Sequence, residues 1–156
     1  MTKAVLVYVI HEGKFLAILG KKSYAPHFGK LNGLGGKFES IDNDDSMACA
    51  RREIQEEAGI TLGELEPIGE IHFKGNPNPD SYFLVYFFIA RSFTGTPVCK
   101  PEEGELEWVE ISNLPLERFQ IGDHYFLPWI FSGKKFNAQF NYFCREYQDH
   151  TVTFLD

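Results

Sequence analysis

Three glutamates in the segment 52–60 are spaced so that they could bind one metal ion together. Glu53, Glu56 and Glu57 stand at positions i, i+3 and i+4 of a segment that is predicted to be helical. Side chains at that spacing lie on one face of a helix and can converge on one point. Three uncompensated carboxylates repel one another, and a hard divalent cation removes this repulsion by taking their oxygens as ligands. The spacing therefore predicts a metal site.

A glycine-rich run, Gly33-Leu34-Gly35-Gly36-Lys37, lies just upstream of the acidic helix. Because glycine has no Cβ, such a run permits close backbone approach and unusual dihedral angles. For the helix alone, the alternative interpretation is a solvated acidic face that pairs with arginines. The adjoining glycines favour the metal site.

Together the two segments resemble the Nudix box, the signature of hydrolases that act on nucleoside diphosphates linked to another moiety. The usual box runs glycine, five residues, glutamate, seven residues, Arg-Glu. Here Gly36 and Arg52-Glu53 match it, and Asp44, seven residues before Arg52, takes the place of the glutamate. On this alignment a two-residue insertion falls within residues 40–43. We expect it to change the loop before the helix more than the metal site.

The resemblance implies a Mg²⁺ site, with Mn²⁺ as the alternative ion, and it implies a set of ligands. The implied ligands are the backbone carbonyl of Gly36 and the carboxylates of Glu53, Glu56, Glu57 and Glu103. The last of these lies on the loop before a late strand. Counting back from Trp108 places it at Glu103, with Glu102 and Glu105 as alternatives.

The resemblance also assigns catalytic roles. The general base is expected to be Glu53 or Glu56, because a carboxylate among like charges has a raised proton affinity. Arg52 is expected to hold a glutamate by a bidentate bond and so to fix the geometry of the cluster.

Substrate contacts are implied at both ends of a nucleotide. Asn32 and Asp123 match the family's contacts to the edge of a purine, which amide and carboxyl groups can pair with. The alternative role for Asp123 is a helix N-cap. Lys21 and Lys37 are the expected phosphate contacts, with Lys22 as an alternative.

One departure from the oxidised-purine nucleoside triphosphatases lies just before Asp123. In those enzymes a segment similar to Trp-Pro-Asp-Asp stands where this chain has Gln120-Ile121-Gly122-Asp123. The stacking tryptophan and one aspartate are missing, which weakens the case for a specialist in 8-oxopurines. Phe28, Phe119 and Tyr125 are the alternative stacking residues.

The expected activity is Mg²⁺-dependent hydrolysis of nucleoside triphosphates to the monophosphate and pyrophosphate, with oxidised purine nucleotides such as 8-oxo-dGTP among the substrates. One alternative is the same chemistry on dinucleotides, nucleoside diphosphate sugars or RNA 5′ ends. A different class of alternative is a nucleotide-sensing module without catalysis. The complete set of Arg52 and the three helix glutamates favours the enzyme.

Composition narrows the class of protein. A chain of 156 residues predicts one domain over 1–156. A net charge of −7 argues against an extended nucleic-acid surface, so the expected partner is a small nucleotide. Cys49, Cys99 and Cys144 form no zinc-type pair, and reduced thiols fit the cytoplasm. No apolar run approaches the length that spans a membrane.

The elements that must position these residues follow from apolar periodicity and turn residues. One helix is predicted to start near 44–46 and to end at Ala58, where Gly59 supplies the stop. Its core-facing stripe is predicted to be Met47, Ala50, Ile54 and Ala58. A second helix is predicted over 123–131. Strands are predicted over 4–10, 15–19, 65–73, 82–93, 106–111, 139–147 and 151–155.

The order of these elements predicts an α/β (α+β) fold with helices on the faces of a mixed central sheet. This agrees with the α/β/α sandwich that the resemblance implies.

Overall fold

A computed structural model describes residues 1–20 and 29–155. Most of its strands form one eight-stranded mixed sheet. In chain order the strands are β1 (Thr2–His11), β2 (Lys14–Gly20), β3 (Leu31–Lys37), β4 (Thr61–Leu62), β5 (Leu65–Lys74), β6 (Tyr82–Ala90), β7 (Phe93–Thr94), β8 (Gly104–Glu110), β9 (Lys135–Phe143) and β10 (Glu146–Leu155). The large sheet has the order β10-β9-β5-β6-β1-β3-β2-β8, and β4 pairs separately with β7. β1 runs parallel to β6 and β5 runs parallel to β9.

Two apolar clusters lie on opposite faces of the sheet, as β1 shows. Its residues Val5, Val7 and Val9 belong to the cluster beneath helix α1 (Ser46–Ala58), and Tyr8 belongs to the other cluster. That second cluster contains the buried residues of helix α2 (Asp123–Phe131). The mixed α/β fold with helices on both faces is therefore confirmed.

The caps of α1 follow the sequence signals. Asp45 is the N-cap, and its carboxylate accepts hydrogen bonds from the backbone N–H groups of Met47 and Ala48. Gly59 ends the helix in the left-handed region, at φ 69°, which glycine adopts without steric cost. The glutamates near the end of the helix are thereby held in a regular helical frame.

The predicted core stripe of α1 is wrong at one position. Ala50, Ile54 and Ala58 are buried as expected, but Met47 is 38% exposed. Met47 lies in the first turn, where it borders a surface groove instead of lying beneath the sheet. Cys49 is buried in its place.

The glycine run forms the strand β3, which the sequence did not predict. Gly33, Gly35 and Gly36 lie within its span, and positive φ angles are confined to other residues of the described chain. The run therefore does not adopt the left-handed dihedral angles that glycine permits. It does use the close approach that glycine permits, because a Cβ on Gly35 would lie 1.9 Å from the carbonyl oxygen of Val5 on the neighbouring strand.

The carboxyl-terminal strands also differ from the prediction. The predicted strand 139–147 runs across a turn, because β9 ends at Phe143 and β10 begins at Glu146. Cys144 and Arg145 form this turn with φ angles of 47° and 79°. Neither is a usual residue for that conformation, so the sequence carried no turn signal there. Similarly, the predicted strand 82–93 ends at Ala90.

Across the described ranges 1–20 and 29–155, the helices are all too short or too polar to cross a membrane.

Candidate active site

Arg52 gathers three glutamates around one guanidinium nitrogen. Its Nη1 donates hydrogen bonds to Glu39 Oε2 at 3.1 Å, to Glu53 Oε1 at 2.9 Å and to Glu56 Oε2 at 3.1 Å. Carboxylate oxygens of these three residues lie within 4.8 Å of one another. Glu39 was not predicted as a site residue, since it lies outside the helix and its only sequence signal is its position three residues after Gly36.

The remaining donors of Arg52 identify its buried partner, which is Asp42. Nε donates to Asp42 Oδ1 at 2.7 Å and Nη2 donates to Oδ2 at 2.8 Å. Asp42 is 3% exposed, and the Arg52 guanidinium holds the pKa of this carboxyl well below its usual range. The bidentate partner of Arg52 is thus an aspartate, and the predicted bidentate bond to a glutamate is wrong.

The predicted alignment of the Nudix-like box at Asp44 is also wrong. Asp44 is exposed, and its carboxylate accepts a hydrogen bond from Lys3 Nζ at 3.0 Å. Asp42 follows Gly36 with five residues between them, which is the usual spacing. The two extra residues are therefore Asn43 and Asp44, which adopt φ angles of 51° and 58°. They form a turn with left-handed backbone angles between Asp42 and the helix.

Glu53 lies against the backbone of Gly36. A Cβ on Gly36 would lie 2.2 Å from Glu53 Oε2, so only glycine leaves space for the carboxylate. Burial raises the pKa of Glu53; the Arg52 guanidinium opposes this shift, and the negative charges of Glu56 and Glu39 add to it. The approach of β3 to α1 therefore creates a carboxylate with increased proton affinity.

One cavity of about 520 Å³ brings together residues that are far apart in the sequence. The predicted site residues in its lining are Asn32, Gly36, Lys37, Glu57, Glu103 and Asp123. Glu53 contacts this wall at Gly36, and Glu56 is joined to Glu53 through Arg52. Of the three glutamates considered for the loop before β8, Glu103 is the one placed on the cavity wall.

The cavity wall also carries an amide group, from Asn32, and a carboxyl group, from Asp123. Asn32 Oδ1 accepts a hydrogen bond from the backbone N–H of Gly33 at 2.9 Å. Asp123 is the first residue of α2, whose N-cap is Gly122, so the alternative role of Asp123 as N-cap is wrong. Burial raises the pKa of Asp123 to about 8. Burial therefore favours the protonated form of this carboxyl group, which can donate a hydrogen bond.

The aromatic residues at the cavity differ from those expected to stack. Phe119 is 2% exposed in the core, and Tyr125 packs on Tyr147 with ring centroids 5.0 Å apart. The aromatic side chains that line the cavity are Phe73, Phe83, Phe126 and Tyr142. The sequence could not distinguish these among its many aromatics, because all lie in or beside apolar strands and a helix.

Among the expected phosphate contacts, Lys37 lies on the cavity wall, with its Nζ 5.8 Å from the centre of the Phe83 ring. Lys21, Lys22 and Phe28 lie outside the residues that the structure describes.

The donor set at the acidic end suits a hard divalent cation. Carboxylate oxygens from Glu39, Glu53 and Glu56 converge there, and Gly36 brings its backbone beside them. Oxygen ligands of this kind are what Mg²⁺ and Mn²⁺ prefer. The chemistry that this arrangement supports is hydrolysis of a phosphorylated ligand in a cavity that also presents hydrogen-bonding side chains.

Comparison with known proteins agrees with this geometry. The model of the NUDIX domain matches residues 1–130. An oxidized purine nucleoside triphosphate hydrolase of Danio rerio is 29% identical over 147 residues, which cover 94% of this chain and 87% of that protein. The enzyme of the same name from Mus musculus is 28% identical over 137 residues, covering 88% and 84%. A crystal structure of a MutT protein from Bacillus halodurans has the same fold, with a TM-score of 0.84 at 21% identity over 97% of both chains.

Proposed function

Since the chain belongs to the Nudix family of hydrolases, which cleave pyrophosphate linkages in nucleoside diphosphate derivatives, we propose that it hydrolyses nucleoside triphosphates to the monophosphate and pyrophosphate. Purine nucleotides, including oxidised ones such as 8-oxo-dGTP, are the proposed substrates. Two relatives that share most of their length with this chain are named as oxidized purine nucleoside triphosphate hydrolases.

The observation that carries this proposal is the shared cavity. Glu57, Glu103 and Gly36 line the same space as Asn32 and Asp123. A cavity of about 520 Å³ falls within the range of small-molecule sites. The acidic groups would bind the phosphates through a cation, and the amide and carboxyl groups would pair with the base. This arrangement supports the proposal that one nucleotide binds with its phosphates and its base in the same cavity.

Nudix hydrolases use divalent metal ions, and Mg²⁺ is the ion proposed here, with Mn²⁺ as the alternative. The residues that would hold it are the carbonyl of Gly36 and the carboxylates of Glu53, Glu56, Glu57 and Glu103, joined by Glu39. When bound, such an ion supplies charge neutralisation on the phosphates and an activated water.

The chain's own residues have separate roles in this proposal. Glu53 or Glu56 accepts the proton of the attacking water as general base. Arg52 acts as a positioning residue, since its donors are committed to Asp42 and to three glutamates. Lys37 contacts the phosphates from the cavity wall. Asn32 and Asp123 orient the base.

The test measures pyrophosphate and phosphate release from ordinary and oxidised nucleoside triphosphates, diphosphate sugars and dinucleotides, with Mg²⁺ and with chelator. Wild type is expected to release pyrophosphate from purine triphosphates only with metal. Glu56→Gln and Glu57→Gln should fold normally and lose about a hundredfold or more in turnover, the scale of a removed acid–base or ligand group. Glu64→Gln, an exposed position away from the cavity, is the matched control.

Other outcomes have defined meanings. Full activity in both glutamine variants contradicts the proposed metal site. Turnover of sugars or dinucleotides alone contradicts the proposed substrate class. Nucleotide binding without any turnover contradicts the proposed hydrolase activity and favours a nucleotide-sensing module.

A further inference from the structure

Gly122 is a glycine at a position where the backbone does not require one. Its φ and ψ angles of −56° and −37° are helical, and alanine adopts that conformation readily. A Cβ on Gly122 would, however, lie 2.0 Å from the hydroxyl oxygen of Tyr142. The glycine therefore provides the space that this hydroxyl occupies. The oxidised-purine nucleoside triphosphatases carry an aspartate at the matching position, so the hydroxyl stands where that side chain would begin.

Tyr142 is held at the cavity wall by its neighbours. It belongs to β9, it is half-buried, and it lines the cavity together with Asp123. Its ring packs near that of Phe73, with centroids 6.2 Å apart. Its backbone is closely packed as well, because a Cβ on Gly75 would lie 1.9 Å from the carbonyl oxygen of Tyr142. These contacts fix where the hydroxyl lies.

The hydroxyl of Tyr142 remains available to a ligand. Within residues 1–20 and 29–155, the fully shielded side-chain oxygens that lack a hydrogen-bond partner are Tyr8 Oη and Asn76 Oδ1, and Tyr142 Oη is not one of them. Burial raises the pKa of Tyr142 well above its usual value, and the charges of Asp123 and Tyr147 add to this shift. The hydroxyl therefore keeps its proton and can donate a hydrogen bond.

Tyr142 adds to a set of donors on the cavity wall. Asn32 uses its Oδ1 to accept from the backbone of Gly33, which leaves its amide N–H groups for other partners. Burial favours the protonated form of Asp123, which also donates. A base edge that matches several donors carries acceptors, and the oxo groups of purines are such acceptors.

We propose that Tyr142 is a specificity-determining residue whose hydroxyl donates a hydrogen bond to an oxo group of the purine base. This inference rests on the proposed nucleoside triphosphate hydrolysis. It differs from the roles of Asn32 and Asp123, because the donor comes from β9 and occupies the space that Gly122 leaves. A base without the oxo group leaves the hydroxyl without its partner in the complex, and that loss is expressed in kcat/KM.

The experiment compares substrates that differ by an oxo group. One pair is inosine triphosphate against purine riboside triphosphate, for the 6-oxo group, and the other is 8-oxo-dGTP against dGTP, for the 8-oxo group. In the wild type, kcat/KM is expected to favour the oxo-bearing member of at least one pair. Tyr142→Phe removes only the hydroxyl and should reduce that preference by about three- to tenfold, the scale of one hydrogen bond. Tyr86→Phe, a half-buried tyrosine that packs on the opposite face of the sheet, should keep the preference.

Thermal stability separates this role from a structural one. Tyr142 Oη has no hydrogen-bond partner within the described residues, so Tyr142→Phe breaks no hydrogen bond there. The Tm of the variant without nucleotide is therefore expected to stay close to that of wild type. A purely structural tyrosine would instead lower Tm and reduce kcat/KM equally for both members of a pair.

Gly122→Ala tests the contact between the two residues. In the wild type the added methyl group would meet Tyr142 Oη at 2.0 Å, so it should displace the hydroxyl, lower Tm and reduce the oxo preference as Tyr142→Phe does. In the Tyr142→Phe background the nearest ring atom is Cζ at 3.2 Å, so the same substitution should lower Tm less. An equal decrease in Tm in both backgrounds would contradict the contact.

The remaining outcomes distinguish this inference from the proposed function. Wild-type turnover of triphosphates with no oxo preference in either pair, or with a preference that Tyr142→Phe retains, overturns the role of Tyr142 and leaves the proposed function standing. An absence of triphosphate turnover in the wild type, with metal present, overturns both.

Discussion

At the scale of single residues, the ion pair between Arg52 and Asp42 organises the acidic site. Arg52 donates two hydrogen bonds to a carboxylate that is almost fully buried, and it shares another nitrogen among three glutamates. A guanidinium has five donors in a rigid fork, so it can hold one bidentate partner and still contact others. The buried pair fixes the guanidinium, and the guanidinium places the glutamates.

Asp42→Asn and Asp44→Asn form a matched pair that tests this assignment. Asp42→Asn is expected to lower the free energy of unfolding by about 3 kcal/mol, because it removes the charge of the almost fully buried bidentate partner of Arg52 and leaves one guanidinium donor facing an amide group. Asp44→Asn should change it little, because that aspartate pairs with Lys3 at the exposed surface. Urea unfolding of both variants and of wild type gives the comparison. An equal decrease in the free energy of unfolding for both variants would contradict the assignment of Asp42, rather than Asp44, to the aspartate position of the Nudix box.

The effect of Asp42 has a defined pH dependence. Its pKa in the folded protein lies below the ordinary value of the unfolded chain, so its charge stabilises the fold fully at neutral pH. The difference in stability between wild type and Asp42→Asn should therefore stay constant above about pH 5 and shrink as the pH falls below about 4.

At the scale of elements, α1 serves the site and the core with different faces. Glu53 lies against Gly36 and Glu57 lines the cavity, whereas Ala50, Ile54 and Ala58 pack beneath the sheet. Asp45 and Gly59 set where the helix begins and ends. The register of the acids relative to β3 therefore depends on the packing of the opposite face.

Ile54→Ala and Met47→Ala should distinguish the contribution of the buried face of α1 to stability from that of its exposed first turn. Ile54 is fully buried, so its truncation is expected to lower the free energy of unfolding by about 3 kcal/mol through lost burial and a cavity. Met47 is 38% exposed in the first turn, and its truncation should cost less than about 1 kcal/mol. Chemical denaturation measures both values. A large loss for Met47→Ala would indicate that the first turn packs on the core after all.

At the scale of the whole molecule, the sheet assembles a site from segments that are distant in the chain. β3 brings Asn32 and Gly36, α1 brings Glu57, the loop before β8 brings Glu103, and α2 brings Asp123. In the unfolded chain these oxygens are dispersed. Binding of a cation to the assembled set is therefore coupled to folding of the whole domain.

Addition of Mg²⁺ should accordingly raise Tm. At a free concentration about a hundredfold above its dissociation constant, the ion adds about 2.7 kcal/mol, or about 5–10 °C for a domain of this size. A Glu56→Gln, Glu57→Gln double variant should lose most of this increase, and Glu64→Gln should keep it. Differential scanning calorimetry with and without chelator is the measurement. The same rise in the double variant would place the ion elsewhere.

Much of the fold could be predicted from local patterns. Residues 123–131 form α2 as predicted, and β1, β2, β5 and β8 lie within a few residues of the predicted strands. These segments carry apolar periodicity, capping residues or turn residues. The turn at Cys144-Arg145 carries none of these, and the strand formed by the glycine run depends on its neighbours, so both were missed.

The sequence by itself determined the acidic helix, the glycine run beside it and the chemistry that both indicate, because spacing along one helix sets which side chains share a face. Only the tertiary structure decided that Asp42, rather than Asp44, binds Arg52, and that Glu39 joins the cluster. These contacts depend on how the chain folds between Gly36 and α1, which residue spacing does not reveal. Two residues with left-handed backbone angles, Asn43 and Asp44, shift the apparent position of the aspartate in an alignment that relies on spacing alone.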